Sequence, residues 1–156
     1  MTKRIDVAAA VIRQNGKTLL CSRPKNSDLA DFMEFPGGKC EPGETPQQCI
    51  IREIREELGV KVIPYDCIHV LEHVYPEKFV RVFFIRCFIT ADSPPPAPLD
   101  NQEIKWAPTS DIHKENLLPA DLPLAKLLAD ACNSIKNHSS CNKNASHGVI
   151  LTTEAR

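Results

Sequence analysis

Residues 38–60 of this 156-residue chain read GKCEPGETPQQCIIREIREELGV. A helix is predicted to begin at Pro46, because Thr45 can act as its N-cap and proline suits the first helical position. Gln48 lies three residues after Thr45 and completes a capping box. The helix is predicted to end at Leu58, since Gly59 supplies a C-terminal stop. Both ends of this helix are therefore marked in the sequence.

Three glutamates share one face of the predicted helix. Glu53, Glu56 and Glu57 are three and four residues apart, which places their side chains on one side at the helical period. Like charges at this spacing repel one another, and a divalent cation relieves the repulsion. Four aliphatic side chains are predicted to form the adjacent, sheet-facing side: Ile50, Ile51, Ile54 and Leu58.

An acidic helix face can also be a solvated surface, and the preceding loop decides against that interpretation. Glu44 adds a fourth carboxylate just before the helix. Gly37 and Gly38 let the backbone approach closely and offer carbonyl or amide groups to a metal or a phosphate. Hard Mg²⁺ binds carboxylates together with water and phosphate oxygens, so the combination predicts a metal site for an anionic ligand.

The rest of the chain predicts an α/β fold in which helices flank a mixed sheet. Strands are expected at 4–13 and 18–23, joined by the hairpin signal Asn15-Gly16, and at 62–74, 79–91 and around 104–106. The proline-rich segment 92–101 is expected to form a loop. A last helix is predicted over Leu122–Ile135, with Asp121 as its N-cap.

Bulk properties favour one cytoplasmic domain at 1–135, followed by a mobile polar tail at 136–156. The net charge of −1 argues against binding to nucleic acid polymers or anionic membranes, and no apolar run is long enough to span a bilayer. Seven cysteines without a CxxC pair or a signal peptide predict reduced thiols. A monomer or a small homo-oligomer is expected.

The stretch 38–60 resembles the Nudix box at every fixed position. The matching residues are Gly38, Glu44, Arg52, Glu53, Ile54, Glu56, Glu57, Gly59 and Val60. The resemblance implies a Nudix-type α/β/α sandwich and the Mg²⁺-dependent hydrolysis of a nucleoside diphosphate linked to another group, with Mn²⁺ as an alternative ion. Catalysis then consists of positioning, charge neutralisation and activation of water.

By the same resemblance, the metal ligands are Glu53, Glu56 and Glu57, joined by the carbonyl of Gly37 or Gly38. Glu44 is expected to act through water, and Arg52 is expected to orient a carboxylate. Asp100 falls where bacterial MutT enzymes place an acidic residue that binds metal or activates water, and Glu103 competes with it for this role.

Residues 4–130 resemble the MutT branch, which implies a small nucleotide substrate. Arg23 corresponds to an arginine near the oxidised base, Phe35 is expected to line the nucleoside pocket, and Gly38 and Lys39 join the binding set. Lys78 stands where the branch has an arginine that contacts the nucleotide. Asp121 stands where the bacterial enzyme reads the base with asparagine; an ionised aspartate only accepts hydrogen bonds.

Several functions remain open on these residues. The first is hydrolysis of a nucleoside triphosphate, foremost 8-oxo-dGTP, to monophosphate and pyrophosphate. CTP or a modified dCTP is the alternative that Asp121 suggests, and ADP-ribose is hinted at by Pro76. A nucleotide-sensing Nudix module without catalysis is the alternative from another class, and the intact box argues against it.

Overall fold

The sheet is built around the turn at Asn15-Gly16. In the computed structural model, which describes residues 2–144, β1 (Lys3–Gln14) and β2 (Lys17–Ser22) form an antiparallel hairpin. Asn15 and Gly16 have φ angles of 51° and 74°, which are the left-handed conformations that such a turn requires. The predicted hairpin is confirmed.

The remaining strands complete a mixed seven-stranded sheet. They are β3 (Met33–Glu34), β4 (Gly37–Lys39), β5 (Val62–Val74), β6 (Lys78–Ile89) and β7 (Ile104–Pro108). The first strand pairs in parallel with β6 and antiparallel with β4, and β6 pairs antiparallel with β5. On the other side, β2 pairs antiparallel with β3 and β7. The segment Gly37–Lys39 is therefore held directly beside β1 by strand pairing.

Two helices, α1 (Pro46–Leu58) and α2 (Leu122–Asn144), cover opposite faces of this sheet. One core joins α1 to alternate residues of β1, such as Ala8 and Ala10. The other core joins α2 to the intervening residues, such as Ala9 and Val11, together with Phe35 and Phe84. A sheet buried on both faces is the predicted α/β/α sandwich, and the fold class is confirmed.

The second helix is longer than predicted. It continues through 136–144, where the sequence suggested the start of a tail, to Asn144, the last residue that the structure describes. This segment contains neither glycine nor proline, and extending an existing helix costs far less than nucleating one. Ser134 donates a hydrogen bond to the carbonyl oxygen of Asp130, and His138 contacts that of Ser134, within the helix. Residues 145–156, which complete the predicted tail, lie outside the described part.

None of the helices within residues 2–144 combines the length and the apolar character that crossing a membrane requires. Six cysteines whose side chains the structure describes are free: Cys21, Cys40, Cys49, Cys67, Cys87 and Cys132.

Candidate active site

The local signals at both ends of α1 fix its position in the fold. Thr45 Oγ1 accepts a hydrogen bond from the Gln48 N–H at 3.1 Å, and Gln48 Oε1 accepts one from the Thr45 N–H at 2.9 Å. At the other end, Gly59 has a φ of 67° and its N–H donates to the Arg55 carbonyl oxygen. The predicted capping box and glycine stop are both present.

One predicted core residue of α1 is wrong. Ile51 is 39% exposed, while its neighbours Ile50 and Ile54 are fully buried. Each helical step turns about a hundred degrees, and the buried face runs from Cys49 through Ile50, so Ile51 lies at the exposed edge of that face. Cys49 takes the buried place instead and contributes to the α1 core. The glutamate-bearing face is unaffected by this exchange.

Arg52 is the hub of the carboxylate cluster. Its Nε and Nη2 donate to the two oxygens of Glu44, both at 2.9 Å, which is the bidentate geometry that a guanidinium favours. Its Nη1 donates to Glu53 Oε1 at 2.9 Å and lies 3.4 Å from Glu56 Oε2. The Arg52 Nη2 also donates to the carbonyl oxygen of Lys39 at 3.1 Å. One arginine therefore connects the loop to the helix.

Glu44 is fixed from two sides. The hydrogen bonds from Arg52, with a further one from the Glu41 backbone N–H, lower the pKa of Glu44 to about 2. Both interactions stabilise the charged form of the carboxyl group. Glu44 is therefore an ionised, oriented carboxylate at neutral pH.

Gly37 and Gly38, in the segment before α1, must be glycines because of close contacts. A Cβ atom at Gly38 would overlap the carboxyl group of Glu53, and a Cβ at Gly37 would overlap the carbonyl oxygen of Ala8. The first contact brings the backbone of the loop against a helical carboxylate. The second follows from the pairing of β4 with β1. Only glycine permits this approach at either position.

Asp100 and Glu57 line the same cavity, which is walled on other sides by Cys21, Ser22, Pro24, Glu34, Pro36 and Gln102. Gln102 holds the segment in place, because its Oε1 accepts from the Asp100 N–H at 2.8 Å and its Nε2 donates to the Glu57 carbonyl at 3.0 Å. The Leu99 N–H donates to the same carbonyl at 3.0 Å. The proline-rich loop is thus attached to the end of α1.

Glu103 lines a different cavity, together with Ser22, Lys25, Ala30, Asp31 and Met33. Its backbone pairs with that of Ser22, and the Ser22 hydroxyl accepts from the Glu103 N–H at 2.8 Å. Of the two acidic residues left open by the sequence, Asp100 is therefore the one that faces Glu57.

The acidic cluster fits a divalent cation by its chemistry. Burial, followed by the charges of Glu53, Glu34 and Asp100, raises the pKa of Glu57 to about 8. Burial and neighbouring negative charges both disfavour the ionised carboxylate, and a divalent cation bound beside it would favour that form. Within residues 2–144, no three acidic, histidine or cysteine side chains converge into a ready-made metal cage. Mg²⁺ characteristically uses one or two carboxylates and completes its shell with water and phosphate oxygens, so a cage is not required.

A third cavity adjoins the two glycines before α1. Its volume is about 250 Å³, and it is lined by Val7, Ala8, Ala9, Arg23, Glu34, Phe35, Gly37, Gly38 and Lys39. Phe35 is buried and packs edge-on against Phe84, with ring centroids 5.8 Å apart. Arg23 and Lys39 bring positive charge to this cavity, and Glu34 brings negative charge. The four predicted nucleotide-binding residues Arg23, Phe35, Gly38 and Lys39 therefore line one space.

The chain matches the family model of the NUDIX domain over residues 2–130. It belongs to the Nudix family. A CTP pyrophosphohydrolase of Escherichia coli K12 is 36% identical over 123 residues, covering 78% of this chain and 89% of that protein. An 8-oxo-dGTP diphosphatase of the same organism is 29% identical over 127 residues, covering 80% and 97%. The chain is thus a Nudix hydrolase of acid anhydrides.

Solved Nudix structures show the same architecture. The E. coli ORF135 protein has a TM-score of 0.70 at 32% identity and is covered to 88%, against 80% of this chain. A MutT protein of Staphylococcus aureus has a TM-score of 0.69 at 33% identity, with 84% of this chain and 99% of that one covered. The MutT-like branch expected from the sequence is confirmed by these relatives.

In this Nudix domain the Asp121 side chain bonds to the backbone of Phe35, while its backbone carbonyl oxygen accepts a hydrogen bond from the Ala125 N–H in the first turn of α2. Its Oδ2 accepts a hydrogen bond from the Phe35 N–H at 3.0 Å, and the side chain is buried. Burial, opposed by this hydrogen bond, raises the pKa of Asp121 to about 7. The predicted N-cap interaction is not among the contacts of this carboxyl group within residues 2–144. The carboxyl group instead links α2 to the backbone at Phe35.

Lys78 is a predicted binding residue that lies outside the cavity of Arg23 and Phe35. It opens β6, pairs with Lys3 of β1, and does not line the cavity of Arg23 and Phe35. Its ammonium lies 5.0 Å from the ring centroid of Tyr75. The structure therefore keeps Lys78 on the neighbouring part of the sheet, and its contact with a nucleotide stays a prediction.

Two residues of the site escaped the sequence-based reasoning. Gln102 anchors the Asp100 loop, and Glu34 lines both the cavity with Arg23 and the cavity with Glu57. Glu34 directly precedes Phe35, a predicted pocket residue, so its position in the sequence was available as a signal. Gln102 had none, because its hydrogen bond to the Glu57 carbonyl spans 45 residues.

Proposed function

We propose that this Nudix hydrolase cleaves nucleoside triphosphates to monophosphate and pyrophosphate. The observation that carries the proposal is the contact of the Glu53 carboxyl group with Gly38, beside the Arg52–Glu44 pair. It places acidic side chains and loop backbone groups at one point, next to a cavity large enough for part of a nucleotide. A metal-bound phosphate chain needs that arrangement.

Glu53, Glu56 and Glu57 are the proposed ligands of Mg²⁺ or Mn²⁺, together with a carbonyl oxygen of Gly37 or Gly38. The ion, when bound, neutralises phosphate charge and favours ionisation of water. Arg52 holds Glu53 and Glu44 in their orientations. Asp100 faces Glu57 across a small cavity, where it can bind metal or accept a proton from water.

The first candidate for the substrate is 8-oxo-dGTP. Arg23 and Phe35 line one cavity, and the buried Asp121 accepts a hydrogen bond from the backbone N–H of Phe35. With a pKa of about 7, Asp121 is partly protonated near neutral pH and can then donate as well as accept a hydrogen bond. In this form it can both donate and accept hydrogen bonds, as can the asparagine that bacterial MutT enzymes have at the corresponding position. Relatives described as 8-oxo-dGTP diphosphatases support this candidate.

CTP or a modified dCTP is the second candidate, and it is favoured by the 36% identity to a CTP pyrophosphohydrolase. The ionised form of Asp121 accepts from the exocyclic amine of cytosine. ADP-ribose has less support, because Pro76 lies in a tight turn closed by the Tyr75 N–H on the Lys78 carbonyl, which explains a proline there.

A nucleotide panel with Mg²⁺ tests the proposal. It comprises 8-oxo-dGTP, dGTP, CTP, dCTP and ADP-ribose, with release of pyrophosphate or monophosphate as the readout. We expect kcat/KM for 8-oxo-dGTP to exceed that for dGTP by at least about tenfold, a difference of about 1.4 kcal/mol in transition-state binding. Equal turnover of these two nucleotides would exclude the sanitation role. Faster turnover of CTP would establish the second candidate.

Glu53→Gln separates an enzyme from a sensing module. The substitution is isosteric and removes one negative charge, so we expect it to abolish turnover while the fold persists. Glu77→Gln, in the β5–β6 turn, is the matched control and should keep full activity. If neither the wild type nor the control hydrolyses any nucleotide but both bind one, the domain is a sensor.

A further inference from the structure

Glu34 lies on a backbone segment that is held from both sides. β3 is only two residues long, with Glu34 paired to Cys21 of β2 and Met33 bridged to Leu117. The Met33 N–H donates to the Asn116 carbonyl at 2.8 Å, and its carbonyl accepts from Leu118 at 3.0 Å. The next residue donates its N–H to Asp121. The starting point of the Glu34 side chain is therefore fixed.

The Glu34 carboxylate forms an ion pair with Arg23. Glu34 Oε2 lies 3.7 Å from Arg23 Nη1, and the two side chains are 27% and 40% exposed. The other end of the guanidinium is different, because Arg23 Nε is buried and has no hydrogen-bond partner within residues 2–144. A buried donor without an acceptor is costly, and a ligand in the cavity can satisfy it. The ion pair thus holds one end of the guanidinium while the other end is left to a ligand.

Glu34 is also the side chain shared by the two cavities. It lines the 250 Å³ cavity with Arg23 and Phe35, and it lines the smaller one with Glu57 and Asp100. Its negative charge contributes to the raised pKa of Glu57, and the Arg23 guanidinium counteracts the effect of burial on Glu34 itself. Glu34 therefore stands between the arginine of the nucleotide cavity and the acidic cluster.

We propose that Glu34 is a positioning residue that orients Arg23 and so determines which base the cavity selects. This inference rests on the proposed function, since it takes the larger cavity to hold the base. A free arginine side chain loses considerable rotamer freedom when it is fixed on a ligand, and an ion pair that fixes it beforehand reduces this loss. Only a base that can use the oriented guanidinium benefits from the arrangement.

The binding of nucleoside monophosphates in the absence of metal isolates this step from catalysis. The probes are 8-oxo-dGMP, dGMP and CMP, with dissociation constants measured by calorimetry for the wild type, Glu34→Gln, Arg23→Gln and the double variant. Asp66→Asn is the matched control, because Asp66 forms an ion pair with Arg86 at 2.8 Å near the Asn15-Gly16 turn, outside both cavities. Thermal unfolding of each variant reports on the fold.

We expect Glu34→Gln to weaken binding of the preferred monophosphate by about tenfold and to leave the weaker ones nearly unchanged, so that discrimination narrows. In the double-mutant cycle, Arg23→Gln should remove the effect of Glu34→Gln, since Glu34 acts through Arg23. Glu34→Asp, which keeps the charge but shortens the side chain, should fall between wild type and Glu34→Gln. Asp66→Asn should bind as the wild type does.

Three results would overturn the inference. Equal weakening of all three monophosphates together with a lower unfolding temperature would make Glu34 a structural residue only. Additive effects in the cycle would show that Glu34 acts independently of Arg23. A changed Mg²⁺ requirement of Glu34→Gln with unchanged monophosphate binding would assign Glu34 to the acidic cluster. If the wild type itself binds none of the monophosphates, the proposed function fails as well.

Discussion

The carboxyl group of Glu53 lies directly against Gly38, so closely that a single methyl group at residue 38 would overlap it. The contact joins the loop before α1 to the helix itself, at the point where the Arg52 Nη1 also reaches Glu53. Two segments that are separate in the chain are thereby placed within reach of one phosphate group. The candidate site depends on this contact.

Gly38→Ala should inactivate the enzyme while most of its stability remains. The new methyl group displaces the Glu53 carboxyl group, and a small displacement of a catalytic group costs about a hundredfold in rate. Overpacking costs about 1–3 kcal/mol of folding free energy. Steady-state pyrophosphate release measures the loss of rate, and chemical denaturation measures the loss of folding free energy. Gly16→Ala, in the β1–β2 turn, is the control for a destabilising glycine substitution outside the site, because its φ of 74° disfavours alanine although the space around it is open. Activity of Gly38→Ala close to that of Gly16→Ala would refute the role of the contact.

Arg52→Lys should make the fold less sensitive to acid. The folded-state pKa of Glu44 is lowered from its ordinary 4.5 to about 2, first of all by Arg52. A lowered carboxyl pKa stabilises the protein above pH 4.5, and this stabilisation is lost as the pH falls towards 2. Lysine cannot form the bidentate pair, so the variant should show a shallower decline over this range. Urea denaturation between pH 2 and 6 measures how the free energy of unfolding changes with pH. The same pH dependence in the wild type and in Arg52→Lys would contradict the role assigned to Arg52.

Asp121→Asn should stabilise the protein at neutral pH. Burial raises the pKa of Asp121 from 3.8 to about 7, so the folded state holds a proton that the unfolded state releases. Stability therefore declines as the pH rises from about 4 to about 7, by up to roughly 4 kcal/mol for a shift of this size. Asparagine keeps an acceptor for the Phe35 N–H and removes this titration. The difference between the free energies of unfolding at pH 5 and pH 8 should be smaller for the variant, and what remains includes the titration of Glu57, whose pKa is raised to about 8. An unchanged difference would disprove the assignment.

The sequence predicted those elements whose signals are local. The bounds of α1 follow from Thr45, Gln48 and Gly59, all of which act within one turn of the helix. The continuation of α2 beyond Ile135 could not be predicted in this way, because 136–144 carries polar residues that suit a tail and a helix equally well. The exposure of Ile51 is a matter of helix rotation, which the caps do not set.

The same difference between local signals and long-range contacts decides which residues of the candidate site could be predicted. The box glutamates, Arg52 and the glycines lie within 23 residues, and their spacing alone brought them together. Asp121 was assigned to a helix cap because that role is local, whereas its hydrogen bond to Phe35 spans 86 residues. The choice of Asp100 over Glu103 depends on Gln102, which fixes the loop against α1 only in the folded chain.

The central claim is that the carboxylates beside Gly38 hold a divalent ion for cleavage of a phosphoanhydride. Its most direct measurement is pyrophosphate release from 8-oxo-dGTP and CTP as a function of Mg²⁺ concentration, for the wild type and Glu53→Gln. We predict that Mg²⁺ stimulates pyrophosphate release saturably in the wild type, and that kcat is lower by at least about a thousandfold in the variant. Turnover that is independent of Mg²⁺, or that survives in Glu53→Gln, would contradict it.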